Sequence, residues 1–129
     1  MATQEAVLTT QDIANRLYEL FEENKWQEVQ DELFSDSAES IEPPGSQGLP
    51  SVKGLEAIKK KGKDWENMIQ EVHGGWTGKP IVAGNYIAIA MGVDATMKDG
   101  NRMKMDEIAV YEVKDGKIVR LDEYTRKLH

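Results

Sequence analysis

The sequence predicts an α+β domain in which three N-terminal helices are followed by a bent, antiparallel-rich sheet. Apolar residues recur every three or four positions in the first half of the chain and at alternate positions in the second half. Two Asp-Gly pairs, Asp99-Gly100 and Asp115-Gly116, each separate two alternating runs, which predicts tight hairpins. Because a sheet must bury one face, we expect the helices to cover it.

The length and composition restrict the class of protein. The chain has 129 residues, 23 acidic and 16 basic side chains, and no cysteine. We expect a flexible N-terminus over residues 1–9 and one domain over residues 10–129. The absence of cysteine excludes disulfides and thiolate metal sites, and a net charge of −7 disfavours nucleic acid as a partner. No membrane span or signal peptide is apparent, so we expect a cytoplasmic protein that does not bind membranes.

The first two helices are predicted from two apolar stripes that meet at a short corner. The first helix begins at a threonine cap, Thr9 or Thr10, and Asn24 and Lys25 form the corner. The stripes consist of Ile13, Ala14, Leu17, Tyr18, Leu20 and Phe21 in the first helix, and of Trp26, Val29, Leu33 and Phe34 in the second. The next segment, residues 35–50, is polar and then rich in proline, which excludes a helix there.

A third helix is predicted to begin at Gly54. Its buried face is marked by Leu55, Ile58, Trp65, Met68 and Ile69. Its lysines are interpreted as a solvated face, formed by Lys59, Lys60, Lys61 and Lys63.

Four strands are predicted after Gly74-Gly75, where the apolar period changes to two. They span residues 76–82, 85–97, 102–113 and 117–126, and the last three should form a meander. The 85–97 run is apolar on both faces for half its length, which predicts cover on both sides. The helices and a pocket would cover one side, and a second copy of the chain would cover the other. We therefore expect a homodimer.

The order of elements, the Pro/Gly-rich loop and the pattern of residues 105–119 resemble SnoaL-like proteins of the nuclear-transport-factor-2-like superfamily. The resemblance covers about residues 10–128. It implies a cone-shaped α+β fold with a sheet wrapped around the helices and a pocket between them. The superfamily includes isomerases, cyclases, dehydratases and proteins with no chemistry. An acid/base enzyme acting on a small apolar carbonyl compound and a non-catalytic dimeric ligand-binding or accessory module therefore both stay open.

One part of the chain is similar to ketosteroid isomerases, which keep a catalytic acid immediately before a proline. The loop around Glu42-Pro43 resembles that loop and assigns the acid to Glu42, and counting back without a gap places Tyr18 at the oxyanion-hole tyrosine. The third role, a protonated aspartate, falls near Ala109, which cannot donate a hydrogen bond. Glu107 lies two residues earlier on the same strand face.

Strand alternation indicates which side chains line the pocket. It places Met103, Met105, Glu107, Ala109, Tyr111 and Val113 on one, largely apolar face, with Asp106 on the other. Glu107 is therefore predicted to be paired, protonated or in a cavity. The predicted catalytic residues are Tyr18, Glu42 and Glu107, and the predicted ligand-binding residues are His73, Met105, Ala109 and Tyr111.

Four of these residues also have a structural interpretation. Glu42 would be a solvated loop carboxylate, and Tyr18 a boundary residue. His73 would be a helix cap, and Glu107 would belong to an ion pair with Arg120, Arg102 or Lys79. No spacing of ligands suggests a metal and no phosphate-binding loop suggests a cofactor, so the expected partner is a small apolar molecule.

Overall fold

The computed structural model describes residues 7–43 and 49–128, with side chains as far as Tyr124. The helices are α1 (Thr10–Glu22), α2 (Trp26–Leu33) and α3 (Leu55–Met68). The strands are β1 (Phe34–Ile41), β2 (Val52–Lys53), β3 (Ile69–Thr77), β4 (Ile81–Ala83), β5 (Tyr86–Met97), β6 (Arg102–Lys114) and β7 (Lys117–Leu128). Three helices and a large, mostly antiparallel sheet confirm the α+β prediction, although β1 and β2 precede α3 in the chain.

A capping box starts α1 at the predicted threonine. The Asp12 amide donates to Thr9 Oγ1 and the Thr9 amide donates to Asp12 Oδ2, both over 3.0 Å. The corner between α1 and α2 is made by Asn24, whose φ of 58° lies in the left-handed region. Residues 1–6, most of the predicted flexible N-terminus, lie outside the described residues.

The sheet has the strand order β2-β1-β7-β6-β5-β3, with β4 also pairing β5. The β5–β6–β7 meander is antiparallel, as predicted, whereas β1 runs parallel to β7. In the β6–β7 hairpin both turn residues have positive φ, 52° at Asp115 and 75° at Gly116, as an Asp-Gly turn requires.

Two parts of the sequence-based assignment are wrong. Residues 35–40 form most of β1 rather than a loop, because pairing with β7 and burial of Ala38 and Ser40 outweigh a polar composition. The predicted strand 76–82 is instead the end of β3 and the start of β4, and α3 ends at Met68. Pro80 lies in the gap between these two strands and has no amide to donate to a ladder.

The core lies between the helices and the inner face of the sheet. It is formed mainly by Ile13, Leu17, Leu20, Phe21, Val29, Leu33, Phe34, Ile58, Ile87, Ile89, Ala109, Tyr111, Ile118 and Leu121. The third helix contacts both β1 and β3 and so lies across this inner face. None of the helices in the described ranges is long and apolar enough to cross a membrane.

A β-bulge in β7 decides which of its side chains face inward. Glu112 pairs with Arg120, and the next residue of β6, Val113, pairs with Ile118. Val119 is therefore an extra residue of β7 that has no partner in this ladder. Ile118 and Leu121 are consequently both buried, and Glu123 follows Leu121 on the inner face. Simple alternation from the hairpin could not show this.

Candidate functional site

Three glutamates from neighbouring strands converge on the inner face of the sheet. Glu123 lies directly opposite Ala109 in the β6–β7 ladder, and Glu107 is the next inward residue along β6. Glu42 follows the last β1–β7 pair, Ile41 with Asp122, so it comes next to Glu123. The small side chain at Ala109 leaves room for the longer glutamates. We call Glu42, Glu107 and Glu123 the carboxyl cluster.

A lysine from α3 faces the carboxyl cluster. The Lys61 Nζ lies 2.6 Å from Glu42 Oε1 and donates to Ser40 Oγ over 3.0 Å. The two charged side chains are well buried, with exposed fractions of 8% for Lys61 and 14% for Glu42. The Glu42 amide donates to Ser51 Oγ over 2.9 Å, which fixes the backbone beside the ion pair. Glu42 is thus a carboxylate held by a cation.

The other two glutamates retain protons near neutral pH. Burial, followed by the charge of Glu42, raises the pKa of Glu107 to about 7, although Lys61 opposes the rise. Burial also raises the pKa of Glu123 to about 8, with contributions from the charges of Glu107 and Glu42 and from a hydrogen bond with Glu42. These carboxyls titrate as a group. A base and a proton donor are therefore present in one site.

Tyr111 supplies a phenol on the same inner face. It pairs with Leu121, next to the position of Glu123, and its ring meets Phe34 edge-on with centroids 6.4 Å apart. Burial, then the charges of Glu107 and Glu123, raise the pKa of Tyr111 well above its usual value. Tyr111 therefore stays neutral and can act only as a hydrogen-bonding phenol.

Beyond Glu107, the inner face becomes apolar and more open. Met91 lies opposite Glu107, and Val93 lies opposite Met105. Met91, Val93, Met103 and Met105 are all half-buried. Flexible methionines can adapt their shape to an apolar ligand.

The structure brings together some of the predicted residues and not others. Glu42, Glu107, Ala109 and Tyr111 meet on the inner face, and Met105 lies at its open end. Asp106 is exposed on the outer face, which agrees with the predicted alternation. The chemical roles of these residues stay predictions.

Tyr18 and His73 do not join the carboxyl cluster. The Tyr18 hydroxyl hydrogen-bonds Glu22 on its own helix, which raises the pKa of the phenol. His73 is not a helix cap: it lies in β3, and its Nε2 is 2.6 Å from Thr96 Oγ1 on the outer face. Two of the three partners considered for Glu107 are engaged elsewhere, since Arg120 binds Asp122 and Arg102 binds Asp94.

Sequence reasoning missed Lys61, Ser40 and Glu123. Interpreting all four lysines of α3 as solvated was wrong for Lys61, which lies three residues after Ile58 and four before Trp65. That spacing places it on the apolar stripe and could have revealed a buried lysine. Glu123 was hidden by the bulge at Val119. Among the residues that the structure describes, no group of His, Cys, Asp or Glu side chains is arranged to hold a metal ion.

Comparison with known proteins identifies the family. The profile of the SnoaL-like domain matches residues 8–124. A candidate SnoaL-like polyketide cyclase from Mesorhizobium loti is 31% identical, with a TM-score of 0.83 over 91% of this chain and 99% of that chain. A comparison with curated proteins finds no match.

More distant structures share the fold alone. A candidate isomerase from Bacillus subtilis is 21% identical, with a TM-score of 0.68 over 92% of this chain and 90% of that chain. TerC, co-crystallised with polyporic acid, is 16% identical, with a TM-score of 0.71 over 91% of each chain. The domain match and the Mesorhizobium structure show that the chain belongs to the SnoaL-like family within the nuclear-transport-factor-2-like superfamily.

Proposed function

We propose that the protein is an acid/base enzyme of the isomerase, cyclase or dehydratase kind, acting on a small apolar carbonyl compound. The observation that carries this proposal is that one site contains both an ion-paired carboxylate and carboxyl groups whose pKa values are raised. Glu42 is ion-paired with Lys61, while burial raises the pKa of Glu107 to about 7 and that of Glu123 to about 8. A base and an acid that coexist at one pH are what proton transfer next to a carbonyl requires. The cyclase and isomerase names of structural relatives support this class.

The chemistry assigns one task to each carboxyl group. The Glu42 carboxylate removes a proton from the carbon next to the carbonyl. The electron pair of that C–H bond forms the C=C bond of an enolate, and the π pair of the carbonyl moves onto its oxygen. A protonated Glu107 or Glu123 donates a hydrogen bond to the resulting enolate, as an oxyanion donor. Return of a proton from Glu42 to a different carbon of the enolate system completes isomerisation. Exchange results when the Glu42 proton is first replaced by a deuteron from the solvent and the deuteron is then delivered to the original carbon.

The first test is hydrogen–deuterium exchange at the carbon next to the carbonyl of methyl naphthyl ketone, followed by NMR in deuterated buffer. We expect the wild type to accelerate the exchange. Glu42→Gln should reduce the rate by about 10² to 10⁴-fold, because the amide keeps the shape but cannot accept the proton. Asp106→Asn, on the outer face of β6, is the matched control and should behave like the wild type. Unchanged exchange in Glu42→Gln, or no acceleration by the wild type, would contradict the proposal.

A second candidate is a dimeric ligand-binding module without turnover. The half-buried methionines and the exposed outer face of the sheet favour it, because both features serve binding alone. Ligand binding by a wild type that does not accelerate exchange would select this candidate.

We also propose that the outer face of the meander joins two copies of the chain. Ala90, Ile108 and Tyr124 lie side by side across β5, β6 and β7, and Ile108 is 51% exposed. The Trp76 indole covers Gly92 beside this row, where an added Cβ would collide with the indole Nε1. Contiguous apolar surface of this kind marks interfaces, and a two-fold contact would bring the same patch of each copy together.

Sedimentation velocity tests the dimer with two matched variants. The wild type should sediment at twice the 14.5 kDa chain mass. Ile108→Asp should give the monomer, since it places a charge at the centre of the apolar row. Val72→Asp, in a residue of β3 that is 58% exposed and faces away from that row, should stay dimeric. A wild type that sediments as a monomer at micromolar concentration would refute the dimer.

A further inference from the structure

Lys61 is a buried charge that has no task yet in the proposed proton transfer. Its side chain is 8% exposed. Replacing a buried ion pair by apolar side chains of similar volume often leaves stability unchanged or raises it, so stability alone does not account for the pair. Two of the three N–H donors of the ammonium group are engaged, by Glu42 and by Ser40. Lys61 is therefore placed to act on Glu42 rather than on a ligand.

Glu42 lacks the support that strand pairing gives to the other two acids of the carboxyl cluster. Strand β1 ends at Ile41, which forms the last pair of the β1–β7 ladder with Asp122. Glu107 and Glu123, in contrast, both lie within the β6–β7 ladder. A glutamate side chain has several rotatable bonds, so beyond the end of a strand it has many orientations to choose from. The contacts of Glu42 therefore decide where its carboxylate lies.

These contacts act at both ends of the residue. The Glu42 amide donates to Ser51 Oγ over 2.9 Å, which holds the backbone. The Lys61 Nζ lies 2.6 Å from Glu42 Oε1, which holds the carboxylate. Glu123 adds a hydrogen bond to Glu42 but no positive charge. Lys61 is thus the cationic contact of a side chain that the sheet does not orient.

Lys61 is itself held between a helix and a strand that is paired on both sides. It donates over 3.0 Å to the hydroxyl of Ser40, which is 2% exposed. Ser40 pairs with both β2 and β7, so its backbone cannot easily move. The helix that carries Lys61 is tied to the same strand at its start, where the Gly54 amide donates to the Ala38 carbonyl over 2.8 Å. The ammonium group therefore has a fixed place from which to orient a neighbour.

We propose that Lys61 is a positioning residue, which holds the Glu42 carboxylate in the orientation that proton transfer needs, and that Ser40 in turn holds Lys61. Side chains locked by their neighbours keep reacting groups in the productive geometry, and a displacement of about 1 Å can lower a rate by about 10²-fold. This inference rests on the proposed function, in which Glu42 is the base, and it gives Lys61 a task there without any contact with the ligand.

The first test measures deuterium exchange into methyl naphthyl ketone at several ketone concentrations. At about pH 6, Lys61→Met should lower kcat by about 10 to 100-fold and change KM by less than about threefold, because Lys61 acts on the base and not on the ketone. Ser40→Ala keeps both charges of the ion pair and should lower kcat by about 3 to 10-fold. The matched controls are Lys60→Met and Ser37→Ala, at exposed positions of the same helix and the same strand, and both should behave like the wild type.

A double variant shows whether Lys61 acts through Glu42. Glu42→Gln has no base left to orient, so adding Lys61→Met to it should change the remaining rate by less than about twofold. A lysine that only supports the fold would lower the rate of Glu42→Gln by the same factor as it lowers the rate of the wild type. That result would overturn the inference.

NMR gives a measurement that does not depend on turnover. Three-bond coupling constants report the rotamers of a side chain. We expect one rotamer for Glu42 in the wild type and in Ser37→Ala, and a mixture of rotamers in Lys61→Met and Ser40→Ala. The same single rotamer in all four proteins would overturn the inference, even if the wild type accelerates exchange. If the rotamers change as expected but the wild type does not accelerate exchange, the orientation of Glu42 by Lys61 stands and the proposed enzyme is refuted.

Discussion

The free energy of unfolding should fall as the pH rises from about 5 to about 9, with a loss on the order of 3 kcal/mol attributable to Glu107. Its pKa is about 7 in the folded chain, against an ordinary value of 4.5. Because the folded pKa is the higher one, the folded state holds the proton more tightly. This contribution is fully present below the unfolded value and is lost as the pH rises through about 7. Urea denaturation at several pH values measures it.

Glu107→Leu separates the contribution of this residue from the general effect of charge. A leucine suits a desolvated position better than a carboxylate, so the variant should be as stable as the wild type or more stable at the alkaline end. The free energy of unfolding of this variant should fall less over the same pH range, and the remaining fall should come from Glu123. Asp106→Leu, at the exposed neighbouring position, should show the wild-type dependence of the free energy of unfolding on pH. If Glu107→Leu showed that same dependence, Glu107 would not be its source.

Lys61→Met should destabilise the chain by about 3 to 5 kcal/mol at alkaline pH, because it leaves buried carboxylates without their cation. Lys61 lowers the pKa of both Glu107 and Glu123, so its loss should raise both values. The carboxyls can then remain protonated at low pH, where the loss of stability should be smaller. Denaturation curves and NMR titration of the glutamates measure the two effects.

Two companion variants check the origin of this effect. Lys60→Met removes a neighbouring lysine that is 77% exposed and paired with Asp64 on the surface, and it should cost no more than about 0.5 kcal/mol. The double variant Lys61→Met with Glu42→Gln should recover part of the stability, since both charges of the pair are gone. An alkaline stability of Lys61→Met equal to that of Lys60→Met would show that the buried pair is unimportant.

The sequence was sufficient to predict the parts of the fold that have strong local signals. Helical spacing predicted α1 and α2, and the Asp-Gly turns predicted the meander. Strand β1 was missed because its polar residues give no strand signal, and its pairing with β7 is a contact between distant parts of the chain. Alternation alone placed Glu107 inside and Asp106 outside, since β6 is regular through that stretch.

The candidate site was only partly predictable because it depends on contacts between elements. A lysine is usually solvated, so composition argued against burying Lys61, although its helical position indicated otherwise. Counting from the β6–β7 hairpin placed the protonated aspartate of ketosteroid isomerases near Ala109, a position without an acidic side chain in this chain. The structure provides a carboxyl there from across the ladder, at Glu123. Tyr18 was assigned by ungapped counting, which says nothing about where its hydroxyl points.

The bulge at Val119 affects how relatives of this chain should be aligned. In β7, Val119 and Arg120 together take the place of the single outward-facing residue that a regular strand would have between Ile118 and Leu121. If one of the two were deleted, the residue equivalent to Glu123 would still point inward. A relative with a regular strand would therefore carry the same acid one residue closer to the hairpin. An ungapped alignment would compare that acid with Asp122, which points outward. Recognising equivalent sites across the family thus requires a gap within a strand, where alignments normally forbid one.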